Sequence, residues 1–359
     1  MGRRALRVRA EGLGRSLLRL AALSVLALAT GPRVACQGLS RALKPQGYVG
    51  IFLSTGKDRT DFTERRVKPR EVLFHPALRS PQQSSGHNGS KSQGPPKTFL
   101  DLTPAELAKQ VLELKHLEPA ESQDMLPLIL ERVGATVVDF FDNFSNTTCT
   151  ENIISTAETS TLAPKGHYNA KFNYVALVKR GADKTRLQEF RTDSRGEPIQ
   201  PQGAIVTEGF VGLLAHFHPT YQPDSRFRYL GREVVKGQST YVVAFAQQPD
   251  VARKASRVEF GLRTEFVFVQ GVAWIDPASF RILRLRTDLE QPEPHVGLRS
   301  ETTEVEYSEV TFKEGGKTLW LPREVTVSGQ LKWYTFHNWH RYSDYRLFLV
   351  QTEERIKNP

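Results

Sequence analysis

The sequence predicts an α+β fold: a large curved antiparallel sheet, a half-open β-barrel of about eleven strands, with N-terminal helices covering one face. Three observations carry that expectation. Residues 270–289 read as a short apolar strand, an Asp276-Pro277 turn and a second, alternating strand, and Asp before Pro marks a hairpin corner. From Tyr168 onward the apolar residues recur with period two, and turn residues stand at hairpin distances: Gly181-Ala182-Asp183, Ser194-Arg195-Gly196, Lys236-Gly237-Gln238, Glu314-Gly315-Gly316 and Ser328-Gly329. Before Tyr168 the period is helical.

The 359-residue chain opens on Arg3, Arg4, Arg7, Arg9, Arg15 and Arg19, then an apolar run at 20–29 and small residues. A basic front, a short apolar stretch and a small-residue boundary make an export signal. A run of about ten residues falls short of the roughly 20 that span a bilayer. Residues 1–36 are therefore read as an export signal, cut near Ala27-Leu28-Ala29 or at Val34-Ala35-Cys36. Arg33 argues against lipid attachment at Cys36. This segment holds seven basic residues and one acidic, 37–98 hold eleven and four, and 99–359 hold 31 and 34. The first 98 residues thus carry +13, more than the whole net charge of +10, and the remainder −3. The remainder is nearly neutral, so the charge makes no case for nucleic acid.

Residues 37–98 are read as a basic, largely disordered segment and linker. Residues 48–53 form an isolated strand within it, and 79–98 consist mostly of Ser, Gln, Gly and Pro. The folded body is 99–350, and 351–359 is a charged tail. Thr103-Pro104-Ala105-Glu106 is a capping box with Pro in the first turn, and Leu107, Val111 and Leu114 share a face. A second helix starts near Ser122 or Asp124. Leu126, Ile129, Leu130, Val133, Val137, Phe140 and Phe141 form its apolar stripe, and Asn143, Asn146 and Thr147-Thr148 close it. Strands are expected at 168–179, 184–192, 209–218, 226–236, 239–248, 257–270, 271–276, 280–290, 300–312, 320–328 and 331–349. In 280–289, Leu283, Leu285 and Leu289 oppose Arg284, Arg286 and Asp288. Glu304 and Glu306 are placed to pair with the two arginines. Residues 241–246 and 271–275 are apolar on both sides and need cover on both.

With helices first, a long meander next and this hairpin late, the chain resembles the LolA/LolB-like superfamily. These are exported bacterial carriers and sensors that include outer-membrane lipoprotein-sorting proteins. The residues that carry the resemblance are Gly271-Val272-Ala273-Trp274-Ile275-Asp276-Pro277, followed by Arg281-Ile282-Leu283-Arg284-Leu285. The stretch from Gly209-Phe210 to Gln248, with Phe227-Arg228-Tyr229-Leu230-Gly231, is similar to uncharacterised exported bacterial proteins of this type. The resemblance covers residues 100–350 in order of elements. It departs from the pattern in placing the helices before most strands and in the 79–98 linker. It implies a half-barrel whose helices plug the mouth, and a cavity that holds a lipid or lipoprotein acyl chain.

The carrier expectation also rests on the export signal, the doubly apolar strands and the aromatic helix. Its expected lining is Phe210, Leu213, Phe227, Tyr229, Val243, Phe245, Trp274 and Leu285, with Leu130, Val137 and Phe141 from the helical lid. The address is periplasmic or outer-membrane associated, and an envelope membrane protein is an expected partner. One alternative is an envelope-assembly interaction module whose interior is filled by side chains.

Catalytic chemistry finds little support. His216-Phe217-His218 would place two imidazoles on one side of a strand, but zinc needs three or four ligands. A metal-dependent hydrolase on that strand is the further alternative. Asp276 is explained by turn geometry, and Glu304, Glu306 and Glu309 by pairing with basic neighbours. The sequence has no Gly-x-Ser-x-Gly, phosphate loop or His-Glu-x-x-His. Cys36 and Cys149 make no disulfide framework. The sequons at Asn88, Asn143 and Asn146 are discounted in a bacterial setting. Trp320, Trp333, Tyr334, Phe336, Trp339, Tyr342 and Tyr345 are read as core and wall, not as a nucleic-acid platform. The expectation is a non-enzyme with no cofactor.

Overall fold

The computed structural model describes residues 97–348 apart from 160–165, 181–184, 197, 200–204, 253–255, 261–262, 314–315 and 333, plus the strands Gly50–Leu53 and Arg70–Phe74. The expected export signal, most of the linker and the charged tail lie outside the described residues.

In chain order the strands are β1 (Gly50–Leu53), β2 (Arg70–Phe74), β3 (Glu118–Pro119), β4 (Thr147–Thr159), β5 (Gly166–Arg180), β6 (Thr185–Thr192), β7 (Pro198–Ile199), β8 (Ile205–Glu208) and β9 (Ser225–Val235). They continue as β10 (Gln238–Gln247), β11 (Ser256–Phe260), β12 (Arg263–Val267), β13 (Val269–Ile275), β14 (Ile282–Leu289), β15 (Leu298–Thr311), β16 (Thr318–Leu331) and β17 (Tyr334–Leu347). Two α-helices, α1 (Pro104–Gln110) and α2 (Leu126–Asn143), precede most of them.

The main sheet has 13 strands in the order β2-β6-β5-β4-β17-β16-β15-β14-β13-β10-β9-β3, with β7 beside β6. Its pairings are antiparallel, as expected of a meander. The order ends at β2 and β3, so the sheet is not closed. A second sheet runs β12-β11-β1-β8. The strand expected alone at 48–53 is therefore paired, parallel to β11 and antiparallel to β8.

Three local expectations are corrected. Thr147-Thr148 does not close a helix but opens the 13-residue β4. Its Thr, Ile and Ser alternate at strand spacing, and its pairing with β17 outweighs the turn propensity of its first residues. The single strand expected at 257–270 divides into β11, β12 and the first residues of β13. The strand expected at 209–218 is a tight turn followed by a 3-10 helix, Gly212–Phe217.

Helix starts follow their signals. The Thr103 hydroxyl accepts from Glu106 N at 3.3 Å, and Thr103 N donates to the Glu106 carboxylate at 2.8 Å. In α2, Ile129, Val133, Val137 and Phe141 are buried, the stripe the spacing predicts.

The sheet has two distinct faces. On one, Tyr229, Val243, Ala273, Leu285, Val305, Val325, His340 and Ile153 stand in register from β9 across to β4. Most of this row belongs to the largest core cluster, which also contains the buried face of α2. Each fully buried apolar side chain contributes ~1.5–3 kcal/mol. The opposite parity places Leu230, Val242, Ala244, Val272 and Trp274 against Phe99, Leu107, Val111 and Leu114 of α1 and its flanking turns. The helices thus cover opposite faces of the doubly apolar strands, not one face. Beyond them the second face is ionic. Arg284 reaches Glu306 at 3.0 Å and Glu304 at 3.3 Å, whereas Arg286 turns to Asp288 at 2.8 Å and Glu113 at 2.9 Å.

Candidate ligand-binding site

The face beneath α2 is closed by a lid built from two pieces of chain. One is α2; the other is the segment 209–224, which contains the 3-10 helices Gly212–Phe217 and Gln222–Asp224. The Gln222 side-chain amide joins the pieces by donating to Leu130 O and Phe217 O, each at 2.9 Å. Gly134 makes the contact close. A β-carbon there would meet Gln222 Nε2 at 2.9 Å and Pro219 Cγ at 3.0 Å.

Buried polar groups anchor the second piece to the sheet. Glu189 accepts from Gly212 N at 2.9 Å, Val211 N at 3.1 Å and the Tyr174 hydroxyl at 2.7 Å. Tyr174 in turn accepts from Gly209 N at 3.0 Å. Gly209 takes φ +92°, a left-handed conformation suited to glycine. The Tyr307 hydroxyl donates to Phe210 O at 2.9 Å. Under the lid the contacts are aromatic: Phe217 lies 5.5 Å from Phe227 and 5.7 Å from Phe245 between ring centroids.

The expected lining gathers here with one exception. Phe210, Leu213, Tyr229, Val243, Phe245, Leu285, Val137 and Phe141 are buried in this cluster, and Leu130 and Phe227 pack against it. Trp274 does not join them. It pairs with Val242, on the other parity, and its indole N–H donates to Glu233 at 2.9 Å on the α1 face. Period two decides this: neighbours in one strand face opposite ways.

The two histidines are corrected with their strand. His216 is buried in the 3-10 helix, its ring 5.1 Å from that of Phe245. His218 follows that helix; its Nδ1 accepts from Thr220 N at 3.2 Å and its ring lies 6.3 Å from Phe141. Among the described residues no group of three or more His, Cys, Asp or Glu could hold a metal ion.

Sequence reasoning missed a buried ionic cluster on the lid face. Arg191 clasps Glu151 through Nε at 2.6 Å and Nη2 at 2.8 Å. His340 Nδ1 and the Tyr342 hydroxyl also reach Glu151 Oε1, each at 2.8 Å. Burial alone would raise the Glu151 carboxyl. The Arg191 charge and the His340 and Arg191 hydrogen bonds outweigh it and hold the pKa at about 2. Further along β15, burial lifts Glu301 to about 8, against a hydrogen bond from Thr303. Alternation places all of these side chains on the lid face, but no local motif marks charged residues there. Cys149 is a buried free thiol, its pKa raised by burial.

A groove of about 110 Å³ opens at the edge of the lid. Val137 and Phe140 of α2, Leu214 of the second piece, and Ile282, Leu319 and Trp320 of the sheet form its apolar walls. Arg281, Lys317 and Asp139 stand among its polar residues. No described helix is long and apolar enough to cross a membrane.

No protein-family model and no curated protein sequence matches the chain. Solved structures do. A domain described as an outer membrane lipoprotein-sorting protein domain, from Vibrio parahaemolyticus, matches at 12% identity and TM-score 0.36, covering 63% of this chain and 94% of that one. A DUF1329 family protein from Desulfovibrio piger matches at 8% identity and TM-score 0.37, covering 64% and 95%. The Mycobacterium tuberculosis lipoprotein LppX matches at 11% identity and TM-score 0.23, covering 63% and 99%.

Proposed function

We propose that this chain is an exported, non-enzymatic carrier or sensor that binds an acyl chain or another hydrophobic ligand between a half-barrel sheet and a helical lid. One observation carries the reading. An apolar face in register from β9 to β16 is covered by two separate chain segments, α2 and 209–224. The two segments are joined to each other through Gln222; α2 meets the sheet largely through side-chain packing, and Glu189, Tyr174 and Tyr307 tie the second segment to it. In this reading α2 shifts while the sheet keeps its own hydrogen bonds. Each methylene taken from water contributes ~0.8 kcal/mol, so an acyl chain is captured without a charged or catalytic group.

The proposed lining is the expected set without Trp274. The groove is about 110 Å³, and ligand pockets usually start near roughly 300 Å³. In this reading the structure is the closed form, and a ligand enters by displacing the lid. The export signal at 1–36, the basic segment and linker at 37–98, within which β1 and β2 pair with the body, the body at 99–350 and a periplasmic or outer-membrane address belong to the same proposal.

A second reading, the envelope-assembly module, draws on the filled interior: Phe210 and Phe217 of the lid and Phe245 of the sheet are fully buried. Two measurements separate the readings. A carrier gives a saturable rise in emission when a fluorescent fatty acid is titrated into it. Native mass spectrometry after gentle purification also finds a co-purified lipid mass. Ligand-free protein with no saturable signal rejects the carrier and leaves the module.

A further inference from the structure

The hairpin that dominates the sequence ends at the groove. Asp276 fixes its turn by accepting from Ser279 N at 2.8 Å and from the Gln238 side chain at 2.7 Å. The chain then passes through Phe280 at φ +54°, a conformation a β-carbon makes costly and surrounding contacts must hold. Those contacts are present. Phe280 N donates to Asp276 O at 2.8 Å, its ring lies 6.2 Å from that of Tyr241, and Thr136 of α2 donates to Ser279 O at 3.4 Å. The turn thus delivers Arg281 to the rim of the groove, against the lid.

The other cation at the groove is Lys317. Its ammonium donates to Asn143 O and the Ser145 hydroxyl, each at 2.6 Å. Both acceptors are neutral, and no carboxylate bonds it among the described residues. Arg281 lies over the Trp320 ring, 5.4 Å from its centroid. Its ion pair with Glu309 spans 3.2 Å between side chains 41% and 55% exposed, so exchange for a stronger partner costs little. Asp139, the acid in the lining, accepts from the Asn143 side chain at 2.7 Å.

We infer that this groove receives the anionic head of an amphiphile: Arg281 and Lys317 bind the oxygens of a carboxylate or phosphate, and the attached chain runs beneath α2. The inference rests on the carrier reading and names its ligand class. A guanidinium offers a planar fork and an ammonium a point charge, and both suit such oxygens. Phe140, Leu214, Leu319 and Trp320 provide the apolar passage from head to chain.

The test compares the full chain with Arg281→Gln/Lys317→Gln at pH 8, using three fluorescent probes of equal chain length: a fatty acid, a fatty alcohol and a phosphatidic acid. The double variant is expected to bind at least one anionic probe about tenfold more weakly. Alcohol binding stays unchanged, and Arg281→Lys recovers part of the loss. Loss confined to the fatty acid identifies a carboxylate head, and loss confined to phosphatidic acid a phosphate head. Equal affinity of wild type and variant for both anionic probes, or an equal loss for the alcohol, overturns the inference and leaves the carrier standing. If wild type binds none of the three, the carrier reading fails and takes this inference with it.

Discussion

Arg191→Met should be among the most damaging single changes outside the aromatic interior. Arg191 and Glu151 are 1% and 0% exposed, and two hydrogen bonds of 2.6 and 2.8 Å join them. Removing one partner strands a buried carboxylate, which costs ~3–5 kcal/mol. Linkage gives a similar size. Moving a carboxyl from 4.5 to about 2 on folding is worth ~3 kcal/mol at neutral pH, at about 1.4 per unit. The sign follows from the depressed folded value: the contribution is complete above the unfolded pKa and is lost as pH falls from 4.5 toward 2. Without Arg191, burial of Glu151 is no longer offset by the guanidinium, so its carboxyl takes up a proton on folding. The variant's deficit should therefore be largest at neutral pH and shrink toward pH 5. Urea unfolding followed by tryptophan fluorescence at pH 7.5 and 5 measures it. Glu151→Gln/Arg191→Met should recover much of the loss. A deficit below about 1 kcal/mol, or one independent of pH, would refute the reasoning.

Three further changes probe other parts of the fold. Trp274→Phe leaves the buried Glu233 carboxylate without its indole donor and should cost ~1–3 kcal/mol in urea unfolding, without altering probe binding on the other face. Glu301 titrates near 8 when folded, above its ordinary 4.5. Its protonated form supports the fold below pH 4.5, and that support is lost as pH rises through about 8. Glu301→Gln should therefore flatten the fall in urea midpoint between pH 5 and 9. Thr103→Ala removes the α1 cap and should lower stability by ~1 kcal/mol, read as a shift in thermal midpoint with fatty-acid binding intact.

Local rules made much of this fold legible. The Thr103 capping box, the α2 stripe and the Asp276 turn are interactions between residues a few positions apart, so their residue types are enough. The hairpins β5–β6, β9–β10, β13–β14 and β15–β16 followed from short turns, whereas Ser328-Gly329, expected as a turn, lies inside β16, and the β4–β17 and β10–β13 pairings join strands distant in sequence. Residues 209–218 misled because a continuous apolar run looks alike in a buried strand and a buried helical turn. Gly209 before the run and Pro219 after it were the available signals for a turn. Trp274, expected in the lining, falls outside it; both parities of β10 and β13 are apolar, and pattern alone does not say which face carries α2. The Glu151 cluster was invisible for another reason. Its members, Arg191, His340 and Tyr342, lie 40, 189 and 191 residues away along the chain. Only the register of β4, β5, β6 and β17 brings them together.

The central claim, that a hydrophobic ligand enters between α2 and the lid face of the sheet, is tested most directly by photo-crosslinking. A fatty acid carrying a diazirine near its chain end is irradiated with the protein, and the labelled peptides are mapped. The account predicts labels on the peptides of Val137, Leu214, Phe245 and Leu285, competed away by unlabelled fatty acid. Labels confined to the α1 face around Leu107 and Trp274, or labels that unlabelled fatty acid does not displace, would contradict it.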